Sequence, residues 1–339
     1  MMKSNFKLKG SMRFSPSWLF GMVLVCGLSG LLINSISQSS EATSPVITDQ
    51  GDSKSVSNET FNIAAAGDFG CGKNANKTVN NILVKDPEVV LALGDLSYRK
   101  SPDCWFTLFS PLETDGSTRI AIGDNEMYPL KFDKYLDHFN LTSPFYSFDY
   151  KNVHFIALAT AKNKEIPYVT DSEQYKFVEN DLKEANDNKK IKWIIVFQFR
   201  AFYSSNTTHP GLDELQDTYH RLFAENGVDI VLQAHNHNYQ RTLPILYNES
   251  KSFTPIVTDS NPDRYYDPKG VIFVTVGTGG EDLYNFTGQA PYVVKQFERH
   301  GFLNLDITNG GSALVGTFYE NRRMDDKDHF TIIKNSKIG

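Results

Sequence analysis

Four short apolar runs in this chain each stop at a small residue, followed at once by a side chain able to grip a cation. Phe61–Gly67 (FNIAAAG) ends before Asp68, Val89–Gly94 (VVLALG) before Asp95, and Thr118–Gly123 (TRIAIG) before Asp124. Val228–Gln233 (VDIVLQ), continued by Ala234, ends before His235, and His237 completes a His-x-His pair. Continuous apolar runs of this length are strands covered on both faces, which calls for an α/β architecture. In such sheets, sites form beyond the carboxyl ends of the strands, so the four tips converge on one crevice. The small residue before each tip lets the backbone turn sharply. Three carboxylates and two imidazoles in one place repel one another unless cations lie between them. Carboxylate and imidazole donors suit Mn, Fe or Zn better than thiophilic ions. One Gly-Asp at a strand end is an ordinary turn; four such tips together point to a metal site.

The rest of the chain alternates strands and helices. Val79, Ile82 and Leu83 give a helical face to 74–85, and Tyr175, Val178, Leu182 and Ala185 give an inward face to 171–186. Lys151-Asn152 separates two runs, 145–150 and 153–160, that read as a hairpin. A strand over 192–199, a helix over 212–225 and strands over 271–276, 301–307, 313–319 and 329–333 follow. No internal repeat or inner linker interrupts them, so one α/β domain over 58–339 is expected. The net charge is −6, and Lys3, Lys7, Lys9 and Arg13 stand without an acid in residues 1–37, which leaves −10 for the remainder. So acidic a body offers no groove for nucleic acid, and an anionic ligand must be held by something other than surface charge.

The four basic residues precede an uncharged run of nineteen, Trp18–Ile36 (WLFGMVLVCGLSGLLINSI). That length lies between a long signal-peptide core and a short spanning helix, so residues 1–37 are a signal peptide or a membrane anchor. Either leads the body out of the cytoplasm, basic flank inside, with membrane attachment if the leader is uncleaved. Residues 38–57 are Ser-, Thr- and Asp-rich and read as a flexible linker. Beyond them only Cys71 and Cys104 remain as cysteines, a pair that favours a disulfide in an oxidising compartment. Sequons at Asn58, Asn76, Asn140, Asn206, Asn248 and Asn285 permit glycosylation.

Gly67-Asp68-Phe-Gly, Gly94-Asp95-Leu-Ser-Tyr98, Gly123-Asp124-Asn125-Glu126, Val196-x-x-Phe199 and Ala234-His235-Asn-His237 resemble the five blocks of the calcineurin-like metallophosphoesterases. The tyrosine in Gly-Asp-x-x-Tyr98 resembles the purple acid phosphatase branch, in its short form, over roughly residues 60–335. The resemblance implies a four-layer α/β/β/α sandwich with two metal ions at the strand ends. Asp68, Asp95, Tyr98 and His237 would hold the first ion; Asp95 would bridge, and Asp124 and His235 would hold the second. A Tyr98 phenolate implies Fe(III) in the first position, with Fe, Zn or Mn in the second. The implied activity is hydrolysis of phosphate esters by a metal-activated water, foremost of phosphomonoesters, with phosphodiesters as the alternative. His209 matches a family histidine near the leaving group and is a candidate general acid, or else a plain loop histidine.

The chain also departs from that pattern. Asn125 stands where the family has a substrate-contacting histidine, and an amide carries no charge. Phe199 replaces a metal-binding histidine and has no lone pair to offer. Ala201 and Ala234 replace a proline and a glycine. Gln198 should face away from Phe199 on a strand. The expectation is therefore a weakened second ion and reduced turnover, with a catalytically silent metal- or phosphate-binding protein as the rival reading. Glu126 is expected either behind the ligands or as a loop cap, Gly277–Gly280 as a tight turn, and His138, His154, His220, His300 and His329 in surface or packing roles. A Cys71–Cys104 disulfide would brace the first two tips.

Overall fold

The structure, a computed structural model, describes residues 60–128 and 130–334. The leader and the linker lie outside the described residues. Among the described residues no helix is long and apolar enough to cross a membrane. The described residues form one compact unit.

In chain order the elements are β1 (Phe61–Ala66), α1 (Lys73–Lys85), β2 (Val89–Ala92), α2 (Asp103–Phe109), β3 (Thr118–Ile120), α3 (Phe132–His138), β4 (Tyr146–Tyr150), β5 (Val153–Ala157), α4 (Glu173–Asp187) and β6 (Trp193–Phe197). A helical run follows through Asp213–Leu215, a π-helical stretch Gln216–His220, and Arg221–Glu225. Then come β7 (Ile230–Gln233), β8 (Tyr239–Thr242), β9 (Ile245–Leu246), β10 (Ile256–Val257), β11 (Arg264–Tyr266), β12 (Ile272–Val276), β13 (Val293–Phe297), β14 (Gly301–Thr308), β15 (Ala313–Glu320) and β16 (Asp326–Ile333).

The strands build two seven-stranded sheets, ordered β11-β16-β15-β14-β1-β2-β3 and β13-β8-β12-β7-β6-β5-β4, beside a small β9-β10 pair. β1, β2 and β3 run parallel, as do β5, β6, β7 and β12. The period of two in β6 shows why this becomes a four-layer sandwich. Trp193, Ile195 and Phe197 join the core shared with the first sheet, while Ile194 and Val196 join the core under α4. β5 divides likewise, with Val153 and Phe155 in one core and Ile156 in the other. Each large apolar side chain fully buried this way contributes about 1.5–3 kcal/mol.

The helices follow their apolar stripes with two adjustments. In α1 the buried stripe is Ala75, Thr78, Val79 and Ile82, and Leu83, expected inward, is exposed. In α4 Tyr175 packs half-buried against the core as expected, and Gln174 is buried beside it, its amide tying the helix to the end of β5 by accepting from the Ala159 N–H at 2.7 Å. Ser172 starts α4 by accepting from the Tyr175 N–H at 3.1 Å. The strands before the tips stop two or three residues earlier than the apolar runs, at Ala92, Ile120 and Phe197, since the last residues already turn toward the crevice.

Candidate metal centre

Three of the strand-tip residues adopt the left-handed backbone region: Asp68 (φ 56°), Asp95 (φ 48°) and His235 (φ 68°). Non-glycine residues enter that region seldom, Asp and His more readily than most, and such conformations gather at functional sites. Small neighbours make room for the tips. A Cβ on Gly123 would lie 2.2 Å from the Asp95 nitrogen, and one on Gly277 would lie 2.6 Å from Asp68 Oδ2. The Gly277–Gly280 segment is thus the backing against which Asp68 rests. The two sheets are stitched together here by the Gly67 N–H, which donates to Val276 O at 2.8 Å, while within the first sheet the Asp68 N–H donates to Gly94 O at 3.1 Å. The site therefore lies at the carboxyl ends of strands from both sheets.

Asp68, Tyr98 and His237 form the tightest group. The Tyr98 hydroxyl donates to Asp68 Oδ1 at 3.0 Å and lies 3.0 Å from His237 Nε2, which is itself 3.4 Å from Asp68 Oδ1. The Asp282 carbonyl accepts from His237 Nδ1 at 2.7 Å, so Nε2 is the nitrogen turned to Asp68. The Tyr284 ring stacks on His237 at 4.1 Å. Asp68 Oδ2 is buried and has no hydrogen-bond partner among the described residues. The group attracts positive charge: burial works against protonation of His237, yet the Asp68 carboxylate outweighs it and pushes that imidazole up to about 9. Burial, then Asp68 and Asp95, drive the Tyr98 phenol well above its ordinary value, so only a strongly polarising cation would draw off its proton. A free carboxylate oxygen, an oriented imidazole and a phenol aimed at one point fit a hard metal ion.

The other expected ligands reach the same end of the molecule but are engaged elsewhere. Asp95 accepts from both nitrogens of Asn125, backbone N to Oδ1 at 2.7 Å and Nδ2 to Oδ2 at 2.7 Å. Asp124 accepts from the Lys162 N–H at 2.7 Å through Oδ1 and pairs with the Arg200 guanidinium through Oδ2. His235 stacks on His209 at 4.0 Å and meets the Phe199 ring at 4.8 Å. Burial holds His235 down at about 4 and also lowers His209, where His237 and Arg200 add to the effect. Among the described residues no three His, Cys, Asp or Glu side chains are drawn together closely enough to hold an ion. Tyr98 is what completes the group around Asp68 and His237.

Gln198 faces away from the site as expected, accepting from the Thr160 hydroxyl and donating to the Arg200 carbonyl. Glu126 lies behind the tips, accepting from the Leu96 N–H at 3.0 Å and the Gly123 N–H at 2.9 Å; burial pushes it up to about 7. Asn236 holds the His209 loop by exchanging hydrogen bonds with its backbone at 3.0 and 2.8 Å. Cys71 and Cys104 form a disulfide beside the first two tips. His154 and His220 are buried away from the site, and His138 stacks on Phe106. Sequence reasoning missed Arg200 and Tyr284. Arg200 carries a faint signal, a lone cation between Phe199 and Ala201; Tyr284 carries none.

The calcineurin-like phosphoesterase family model matches residues 61–239. Purple acid phosphatase 21 of Arabidopsis thaliana is 31% identical over 239 residues, covering 64% of this chain and 49% of that protein. Acid phosphatase type 7 of Homo sapiens is 27% identical over 250 residues, covering 66% of this chain and 56% of that protein. The chain thus spans about half the length of the curated relatives it matches. A purple acid phosphatase from yellow lupin (Lupinus luteus) seeds superimposes with a TM-score of 0.65 at 22% identity, over 83% of this chain and 55% of that one. The match covers the tips that carry Asp68, Asp95, Asp124, His235 and His237, and the chain belongs to the calcineurin-like phosphoesterase family, within which it stands with the purple acid phosphatases.

Proposed function

We propose that this chain is an exported, metal-dependent hydrolase of small phosphomonoesters, of the acid phosphatase kind, with turnover lowered by Asn125 and Phe199. The observation that carries this reading is the convergence of Tyr98 and His237 on Asp68, whose second oxygen is buried and free. A bound metal ion supplies an activated water and positive charge for the phosphoryl oxygens. The protein does the rest. Asp282 and Tyr284 fix the His237 ring by hydrogen bond and stacking. His209, stacked on His235 and held by Asn236, would hand a proton to the leaving oxygen. Arg200 brings a guanidinium, a natural partner for phosphate oxygens. The Cys71–Cys104 disulfide supports export, because such bonds persist in oxidising compartments.

A second reading has its own observation. Phe199 and the doubly held Asp95 favour a silent protein that keeps one ion and binds phosphate without turning it over. Hydrolysis of an aryl phosphate with added Fe, Zn or Mn separates the two. Metal-stimulated turnover supports the enzyme. No turnover with any metal, restored by Asn125→His with Phe199→His, supports the silent protein.

A further inference from the structure

The place where a second ion would bind is lined by groups already engaged within the protein, Asp124 by a side-chain cation. Both Asp124 oxygens are in use, one on the Lys162 N–H at 2.7 Å and the other on the Arg200 guanidinium. Both Asp95 oxygens are held by Asn125, one of them by a backbone N–H that cannot swing aside. Phe199 presents a phenyl ring against His235. A second metal ion does not fit this set. Arg200, in contrast, is held in place. Its backbone N–H donates to Thr160 Oγ1 at 3.0 Å, its carbonyl accepts from Gln198, and its side chain is only 15% exposed.

We propose that Arg200 stands in for the second ion, so that the centre holds a single metal at Asp68, Tyr98 and His237 and uses the guanidinium as its other positive charge toward a phosphate group. The proposal rests on the metal-centre reading above. A guanidinium stays charged throughout the working pH range, so Asp124 is neutralised whether or not metal is plentiful. A divalent ion entering beside Asp124 would meet that fixed charge and be repelled by it. The planar fork also offers paired N–H donors to phosphate oxygens, and Arg200 Nε has no hydrogen-bond partner among the described residues.

The test counts ions in the purified full chain after loading with excess Zn, Mn or Fe and desalting. The unaltered chain is expected to retain one ion, and the Phe199→His/Arg200→Ala chain two. Two ions in the unaltered chain would overturn the proposal while leaving a metal-dependent hydrolase intact; no ion would overturn the metal-centre reading itself. A single ion in both chains would remove Arg200 as the excluding group. Inorganic phosphate gives an independent readout on the metal-loaded protein, with Arg200→Gln as a milder variant. Loss of one charge-assisted contact is expected to weaken phosphate binding about 10- to 100-fold. Unchanged phosphate affinity would show that the guanidinium does not face the anion.

Discussion

The hydroxyl of Tyr98 and Nε2 of His237 lie 3.0 Å apart, and both point at the same oxygen of Asp68. These side chains come from three separate segments of the chain. Asp68 follows β1, Tyr98 follows β2 and His237 precedes β8, so they meet only because the two sheets close on each other. The phenol is the one donor of the three that distinguishes among metals.

Iron-loaded protein is expected to show a visible absorption band from a Tyr98 phenolate on ferric iron. Tyr98→Phe should abolish the band and leave the far-ultraviolet circular dichroism unchanged. A band that survives the substitution would remove Tyr98 from the ligand set.

Cys71 and Cys104, 33 residues apart, close a loop that contains both Asp95 and Tyr98. Closing a loop of that size is worth about 3–4 kcal/mol in chain entropy. Urea unfolding with and without reductant should differ by roughly that amount, and alkylation without reductant should leave the mass of residues 60–334 unchanged. Equal midpoints would mean that the bond contributes nothing to stability.

The tips were legible because parallel strands covered on both faces leave unbroken apolar runs, and Gly-Asp marks where such a run must turn. β8 was not legible. Its Gln240, Arg241 and Thr242 are polar yet buried, each satisfied by a partner far away in the chain, such as Asp328 for Arg241 or the Ser205 N–H for Gln240. α2 and α3 escaped notice for a different reason. They are helices of about two turns held by aromatic packing, with Trp105 stacked on Phe109 at 4.1 Å and meeting Tyr135 at 5.8 Å, and no periodic stripe announces them. Arg200 and Tyr284 owe their roles to loop geometry, which no local pattern encodes.

The Arg241–Asp328 pair, wholly buried, joins β8 in one sheet to β16 in the other at 2.6 Å, with the Tyr239 hydroxyl also donating to Asp328 at 2.8 Å. Asp328→Ala strands the guanidinium in the core and is expected to cost about 3–5 kcal/mol, measured by urea unfolding. Replacing both partners with apolar residues of similar size should cost less. A single substitution that proves neutral would contradict the pairing.

Two histidines away from the site give stability opposite pH dependences. Burial lowers the His154 proton affinity, but Asp149 at 2.6 Å and Asp181 at 2.9 Å outweigh it and raise the group above its ordinary 6.5. Its contribution is complete below pH 6.5 and fades as pH rises through the raised value. Burial holds His220 down at about 4, so its neutral form is the folded one, and stability falls by about 3 kcal/mol as pH drops from 6.5 toward 4. Thermal melts across pH 4–9 should show His154→Gln losing most below about pH 6.5 and His220→Gln flattening the acid limb. Parallel curves for all three proteins would contradict both assignments.

The most direct test is Asp68→Asn, measured for metal content and aryl phosphate hydrolysis alongside the unaltered chain. The substitution keeps the size of the side chain and removes the charge that draws the cation between Tyr98 and His237. The unaltered chain is expected to retain metal and hydrolyse the ester, and Asp68→Asn to lose both while still folding. Metal and activity undiminished in Asp68→Asn would contradict a centre built on Asp68.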